Sequence, residues 1–197
     1  MRVLVYLIII IFIFSIVTLI KLEKHEVKYI KSDLDNKEYL VRDLKDKSDA
    51  ANLLASLKIN MMKLVDHLYQ HKDSKDSKYS KNKKYIEQLK SRIENAVINE
   101  SSEDSAYTSY SVNKGEQIVF CLRSKHDNKL HELNLLMYVA IHEMAHVGCP
   151  SYGHNDEFKH IFAFFTTIAI ELGLYAKIDF HDDPIEYCGL VISESII

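Results

Sequence analysis

The sequence predicts an α+β fold carried behind a single N-terminal transmembrane helix. Three observations point there. Apolar residues recur at three- and four-residue steps along several stretches, the period of amphipathic helices. Two β-rich runs, 106–112 and 117–123, flank Asn113-Lys114-Gly115, which is hairpin chemistry. The chain also opens on a long, uncharged apolar segment. A length of 197 residues suffices for one domain with a real core and falls short of two.

The opening segment, Val3 to Ile20, reads VLVYLIIIIFIFSIVTLI and carries no charge. As a helix at about 1.5 Å per residue it extends roughly 27 Å, close to the thickness of a hydrocarbon core. A secretory signal would have a shorter apolar core and small residues at a cleavage site. Here the boundary reads IVTLIKLEK. Residues 1–20 are therefore expected to be an uncleaved membrane anchor. Arg2 precedes the span, and Lys21, Lys24, Lys28 and Lys31 follow it. The positive-inside rule then places the C-terminal domain in the cytosol, as part of a single-pass membrane protein.

Residues 21–37 are rich in lysine and acid and read as a charged stalk, with the domain proper over 38–197. Residues 38–42, EYLVR, suit a short strand. Ser48 suits an N-cap. After it Ala50, Leu53, Leu54, Leu57, Met61, Leu64, Val65 and Leu68 make one apolar stripe of a helix that runs to about Tyr69. The charged, serine-rich stretch 71–84 reads as a solvated loop. A second helix is expected from Tyr85 to about Ala96, with Ile86, Leu89 and Ile93 inward. A linker over 101–105 and the hairpin follow. A third helix starts between Asn128 and Leu135 and runs through LLMYVAIHEMAHV. A fourth starts near His154 and closes at Gly173. The tail YCGLVISESII suits one last short strand.

Net charge is -3, which gives no general reason to expect nucleic-acid binding. Cys121, Cys149 and Cys188 are odd in number and contain no CxxC. They argue against a disulfide framework, leave a single bridge open, and lean towards a reducing compartment.

The stretch HEMAHVGCPSYGHNDEF, 142–158, carries the chemistry. His142 and His146 are spaced i and i+4, so they leave one face of a helix a turn apart and can ligate one ion. A catalytic zinc takes three protein ligands and keeps a position open for water. Glu143 lies between the two histidines, rotated around the helix. It sits beside the water rather than on the metal, where a carboxylate accepts and returns a proton. HExxH is the smallest arrangement that does this on a helix. The flanks LLMYVAI and Ala145, Val147 are apolar, so the polar cluster sits in a helix expected to be buried.

The third ligand fixes the subclass. Pro150 and Gly153 break the helix and let His154 face back; His154 is the expected ligand. The spacing HExxHxxGxxH fails, because Cys149 and Tyr152 stand where its glycine and histidine would be. Glu171, in AIELG, is the alternative on a following helix. Asp156 and Glu157 suit a helix N-terminus and its dipole. Cys149 is the less usual choice for a catalytic ligand. No oxyanion stabiliser is evident: Tyr152 and His131 are candidates whose ordinary role would be structural. His126, His160 and His181 read as surface or supporting histidines.

This segment resembles the active-site segment of the WLM and SprT-like zinc metallopeptidases. The shared features are the HExxH helix, a short turn, then Gly153-His154 and the aromatic Phe158 four residues later. KGEQIVFCLR before the helix and DPIEYCG after it are similar to WLM-like proteins of nucleocytoplasmic large DNA viruses and microbial eukaryotes. The resemblance implies a minimal zincin-like protease domain whose sheet edge, assigned to Gln117–Arg123, aligns an extended substrate by strand addition. It implies Zn2+ on His142, His146 and His154, with Glu143 as the base. The function expected is a membrane-anchored zinc metallopeptidase that cleaves a protein or peptide substrate. The alternative from another class is a catalytically silent, zinc-stabilised scaffold at a membrane. A chance motif in a metal-free protein is the third possibility.

Overall fold

In the computed structural model, which describes residues 6, 9–12, 15 and 26–197, the apolar stripe that starts at Ala50 forms α1, Lys47–His71. Ala50, Leu54, Leu57, Met61, Leu64, Val65 and Leu68 are buried along it, and Leu53 is half-buried. The helix starts ahead of Ser48, with Asp46 at the N-cap position. Asp46 does not cap through its side chain; its carboxylate instead meets Arg123. A four-residue helix, α2 (Ser77–Ser80), interrupts the serine-rich loop, and α3 spans Lys83–Ile93 with Ile86, Leu89 and Ile93 inward.

The HEMAH helix is α4, Leu133–Gly148, and α5 is Asp156–Glu171. α4 packs against α1, α3 and α5 and is the middle of the core. Leu136, Met137, Ala140, Ile141, Met144, Ala145 and Val147 are fully or almost fully buried. Burying each of the larger ones is worth roughly 1.5–3 kcal/mol. An all-round apolar helix is the sequence signature of such a position.

The strands form small sheets, and the fold is mixed α+β. β1 (Val27–Lys31) pairs antiparallel with β2 (Glu38–Arg42). Part of the stretch read as a charged stalk is therefore a strand. β3 (Val97–Glu100), β4 (Tyr110–Val112) and β5 (Gln117–Phe120) make a three-stranded sheet in the order β3-β5-β4. β5 is parallel to β3 and antiparallel to β4. The expected edge strand is thus central, with both sides hydrogen-bonded, and β3 and β4 are the edges. The reason is strand pairing: β3 is a short run between a helix end and a linker, and its parallel pairing with β5 makes β5 central. The tail forms a hairpin, β6 (Ile185–Tyr187) and β7 (Leu190–Ile192), rather than one strand.

The membrane anchor is also corrected. Among the described residues no helix is long and apolar enough to cross a membrane. A span needs a continuous helix of about 20 residues. Tyr6, Ile9 to Phe12 and Ser15 are helical, and the rest of Val3–Ile20 lies outside the described residues. The single-pass localisation and its cytosolic side rested on that span and lose their support. Cys121 and Cys188 form the single bridge that the cysteine count left open, across 67 residues with Cα atoms 6.3 Å apart, and Cys149 is a free, buried thiol. The odd count concealed a pair because only folding brings the end of β5 beside β6.

Candidate metal centre

His142 and His146 leave α4 one turn apart, as the helical period requires. α4 ends at Gly148, and Gly153 adopts φ +80 with open space around its α-carbon. That left-handed step reverses the chain. Asn155 then caps α5 by accepting a hydrogen bond from the Phe158 amide at 3.0 Å. His154 is carried back over the first two histidines.

The three Nε2 atoms converge. His146 and His142 are 3.1 Å apart, His146 and His154 3.1 Å, and His154 and His142 3.0 Å. Nitrogens about 2.0–2.1 Å from a tetrahedral zinc lie roughly 3.3 Å from one another. A triangle of imidazole nitrogens cannot satisfy itself, since each presents either one lone pair or one N–H. One cation satisfies all three, so the donor set fits a metal. His142, His146 and His154 are the candidate metal group among the described residues.

Aromatic rings hold the imidazoles. Phe158 stacks on His146 with ring centres 4.2 Å apart, and Phe162 meets His142 edge-on at 5.2 Å. Burial pushes His142 down to about 3, helped by His146 and His154. Burial pushes His146 down to about 4, helped by His154 and Lys114. Both are neutral at pH 7, the form that binds metal. Glu143 is 4% exposed, and burial pushes its carboxyl up to about 8.

The histidines and Glu143 open onto a cleft of about 710 Å³. β4 and its approach, Thr108 to Ser111, line it together with Tyr187, Leu190 and Ile192 of the β6–β7 hairpin. Tyr187 is 4% exposed, and its hydroxyl lies 2.6 Å from Ser109 Oγ. Burial and the nearby Glu143 hold that phenol in its neutral, donating form, although its bond to Ser109 opposes them.

Other candidates lie elsewhere. Glu171 is ion-paired with Lys78 at 2.8 Å and is outside the metal group. The Cys149 thiol lies 3.2 Å from Ser151 Oγ. Asp156 and Glu157 stand in the first turn of α5, where Glu157 accepts from the Tyr85 hydroxyl at 2.9 Å. Tyr152 is 84% exposed at the cleft mouth. His131 packs on the Tyr187 ring, His160 bonds Asn82, and His126 and His181 are exposed. Sequence reasoning missed Tyr187, Ser109 and Lys114. The hairpin turn around Lys114 was legible, but its contact with the far end of α4 had no local signal.

No protein-family model matches the chain. The chain is similar to "Uncharacterized protein R325" of Acanthamoeba polyphaga mimivirus, 43% identical over 177 residues, 90% of this chain and 88% of that protein. It is similar to "Uncharacterized protein 136R" of Invertebrate iridescent virus 6, 41% identical over 69 residues, 34% of this chain and 38% of that protein. A solved structure, that of Wss1 from Saccharomyces cerevisiae, aligns with a TM-score of 0.43 at 16% identity, covering 66% of this chain and 85% of that one.

Proposed function

The chain belongs to the family of that mimivirus protein, and from the geometry of its histidine cluster we propose that it is a zinc-dependent metallopeptidase. Its substrate is a protein or peptide that enters the cleft extended. The observation that carries this is the triangle of Nε2 atoms, 3.0 to 3.1 Å on a side, with an almost buried carboxyl at Glu143 in the same cleft.

When bound by His142, His146 and His154, zinc supplies a Lewis acid that acidifies water and polarises a carbonyl. The chain's residues do the rest. Glu143 takes the proton from the attacking water and returns it to the leaving amine. Burial raises the affinity of the Glu143 carboxylate for a proton, which strengthens it as the acceptor. The Tyr187 hydroxyl offers a neutral O–H donor on the cleft wall for charge that develops on the carbonyl oxygen. β4, the cleft-side edge of the sheet, offers backbone groups that hold the substrate as an added strand.

The experiment is Glu143→Gln in the full chain, assayed on a quenched fluorescent peptide library beside the parent. The variant is expected to keep its zinc and lose at least about 100-fold in rate. Full activity in the variant would sink the proposal. A silent zinc scaffold would instead leave parent and variant equally inactive, and such a site gains nothing from a buried carboxyl.

A further inference from the structure

The turn of the β4–β5 hairpin touches the end of the ligand helix. Lys114 at its tip has φ +55 and is half-buried. Its ammonium donates to the Cys149 carbonyl at 2.7 Å, the Pro150 carbonyl at 3.1 Å and the Ser151 carbonyl at 2.8 Å. It also lies 4.1 Å from the centre of the Tyr152 ring. An ammonium has three N–H donors, and here each has a carbonyl acceptor. Three carbonyl dipoles and a ring face meet the charge, against the cost of burying it.

These carbonyls belong to the loop that leaves α4. Only Tyr152 and Gly153 separate the last of them from His154. The loop's other anchors tie it to α5: Ser151 Oγ donates to Glu157 at 2.8 Å, and Asn155 Nδ2 donates to Ser151 Oγ at 2.9 Å. Lys114 ties it to the sheet. The turn is itself seated on α4, because a Cβ on Gly115 would lie 2.9 Å from Val147 Cγ1. One side chain therefore links the hairpin, the end of the helix that carries His142 and His146, and the loop that carries His154.

We propose that Lys114 is a positioning residue of the metal centre, holding loop 149–153 so that His154 faces His142 and His146 before an ion arrives. The proposal rests on the zinc site described above. Pre-organised ligands bind more tightly because the ion does not have to order the loop. A plain helix cap would act differently: it would stabilise α4 and leave metal affinity unchanged.

The test uses the full chain and Lys114→Met, which keeps most of the stem and loses the donors. Zinc affinity is measured by competition with a chromophoric chelator, and the thermal midpoint is measured on the metal-free proteins. The expected result is zinc affinity lowered by about tenfold or more in a variant that still folds, the size typical of groups that orient ligands. Lys114→Arg should fall between Met and the parent, because a planar fork cannot meet three converging carbonyls. Parent-like affinity in folded Lys114→Met overturns the proposal, whatever happens to its midpoint. If Lys114→Met does not fold, Lys114→Arg decides: weaker binding supports the proposal and parent-like binding overturns it. A parent that binds no zinc overturns this proposal and the zinc reading together, whereas unchanged affinity in the variants overturns this one only.

Discussion

Arg123 is 3% exposed, and two acids face its guanidinium. Glu100 accepts from Nε at 2.7 Å and Asp46 from Nη1 at 2.6 Å. Glu100 also accepts from the Arg42 amide at 2.7 Å, so one carboxylate joins β2, β3 and the end of β5. The bond to Arg123 holds the Asp46 carboxyl below its ordinary 3.8. A carboxylate whose folded value is depressed stabilises the fold above its unfolded value, and that stability fades as pH falls through the folded value. The parent should thus be more stable than Asp46→Asn at pH 5, by about 1 kcal/mol or less because Asp46 is partly exposed. Thermal midpoints should converge as pH drops below 3.8. A gap that persists in acid would contradict the ion pair. At this scale the histidine cluster was legible: the helical period fixes His142 against His146, and Pro150 with Gly153 signals the reversal that returns His154. Lys114 and Tyr187 were not, because their contacts, to 149–151 and to Ser109, join residues 35 or more positions apart.

Among the elements, the β4–β5 hairpin has the most specific requirement. Gly115 has φ +114, and the position its Cβ would take lies against fully buried Val147. Gly115→Ala combines a strained backbone with an overpacked contact and should cost about 1–3 kcal/mol. Calorimetry of the full chain checks it, and an unchanged midpoint would show that the turn is not seated on α4. The long helices α1, α4 and α5 were readable because their apolar stripes persist over several turns. β1 and β3 were not. VKYIK sits in lysine-rich surroundings, and VINE is only four residues long and starts soon after α3, so neither gave an alternation long enough to register. Strand order lies beyond local pattern altogether, since the parallel partner of β5 is separated from it by β4. The strand assigned as the substrate edge therefore proved to be the centre.

At the scale of the molecule, the Cys121–Cys188 disulfide ties the C-terminal hairpin, one wall of the cleft, to the end of β5. Closing a 67-residue separation is worth roughly 2–4 kcal/mol. Reduction should lower the thermal midpoint by roughly 4–16 °C. Equal midpoints for the oxidised and reduced protein would contradict a clamped hairpin. The mixture of helices and strands was legible from apolar period and turn residues; the disulfide and the sheet order, which shape the cleft, depend on contacts that only folding creates. The central claim is a three-histidine zinc site, and it is tested most directly by zinc per chain in the purified full-length protein and in His154→Ala. One zinc in the parent and a large loss in the variant are expected. No zinc in a folded parent, or equal zinc in both proteins, would contradict the site.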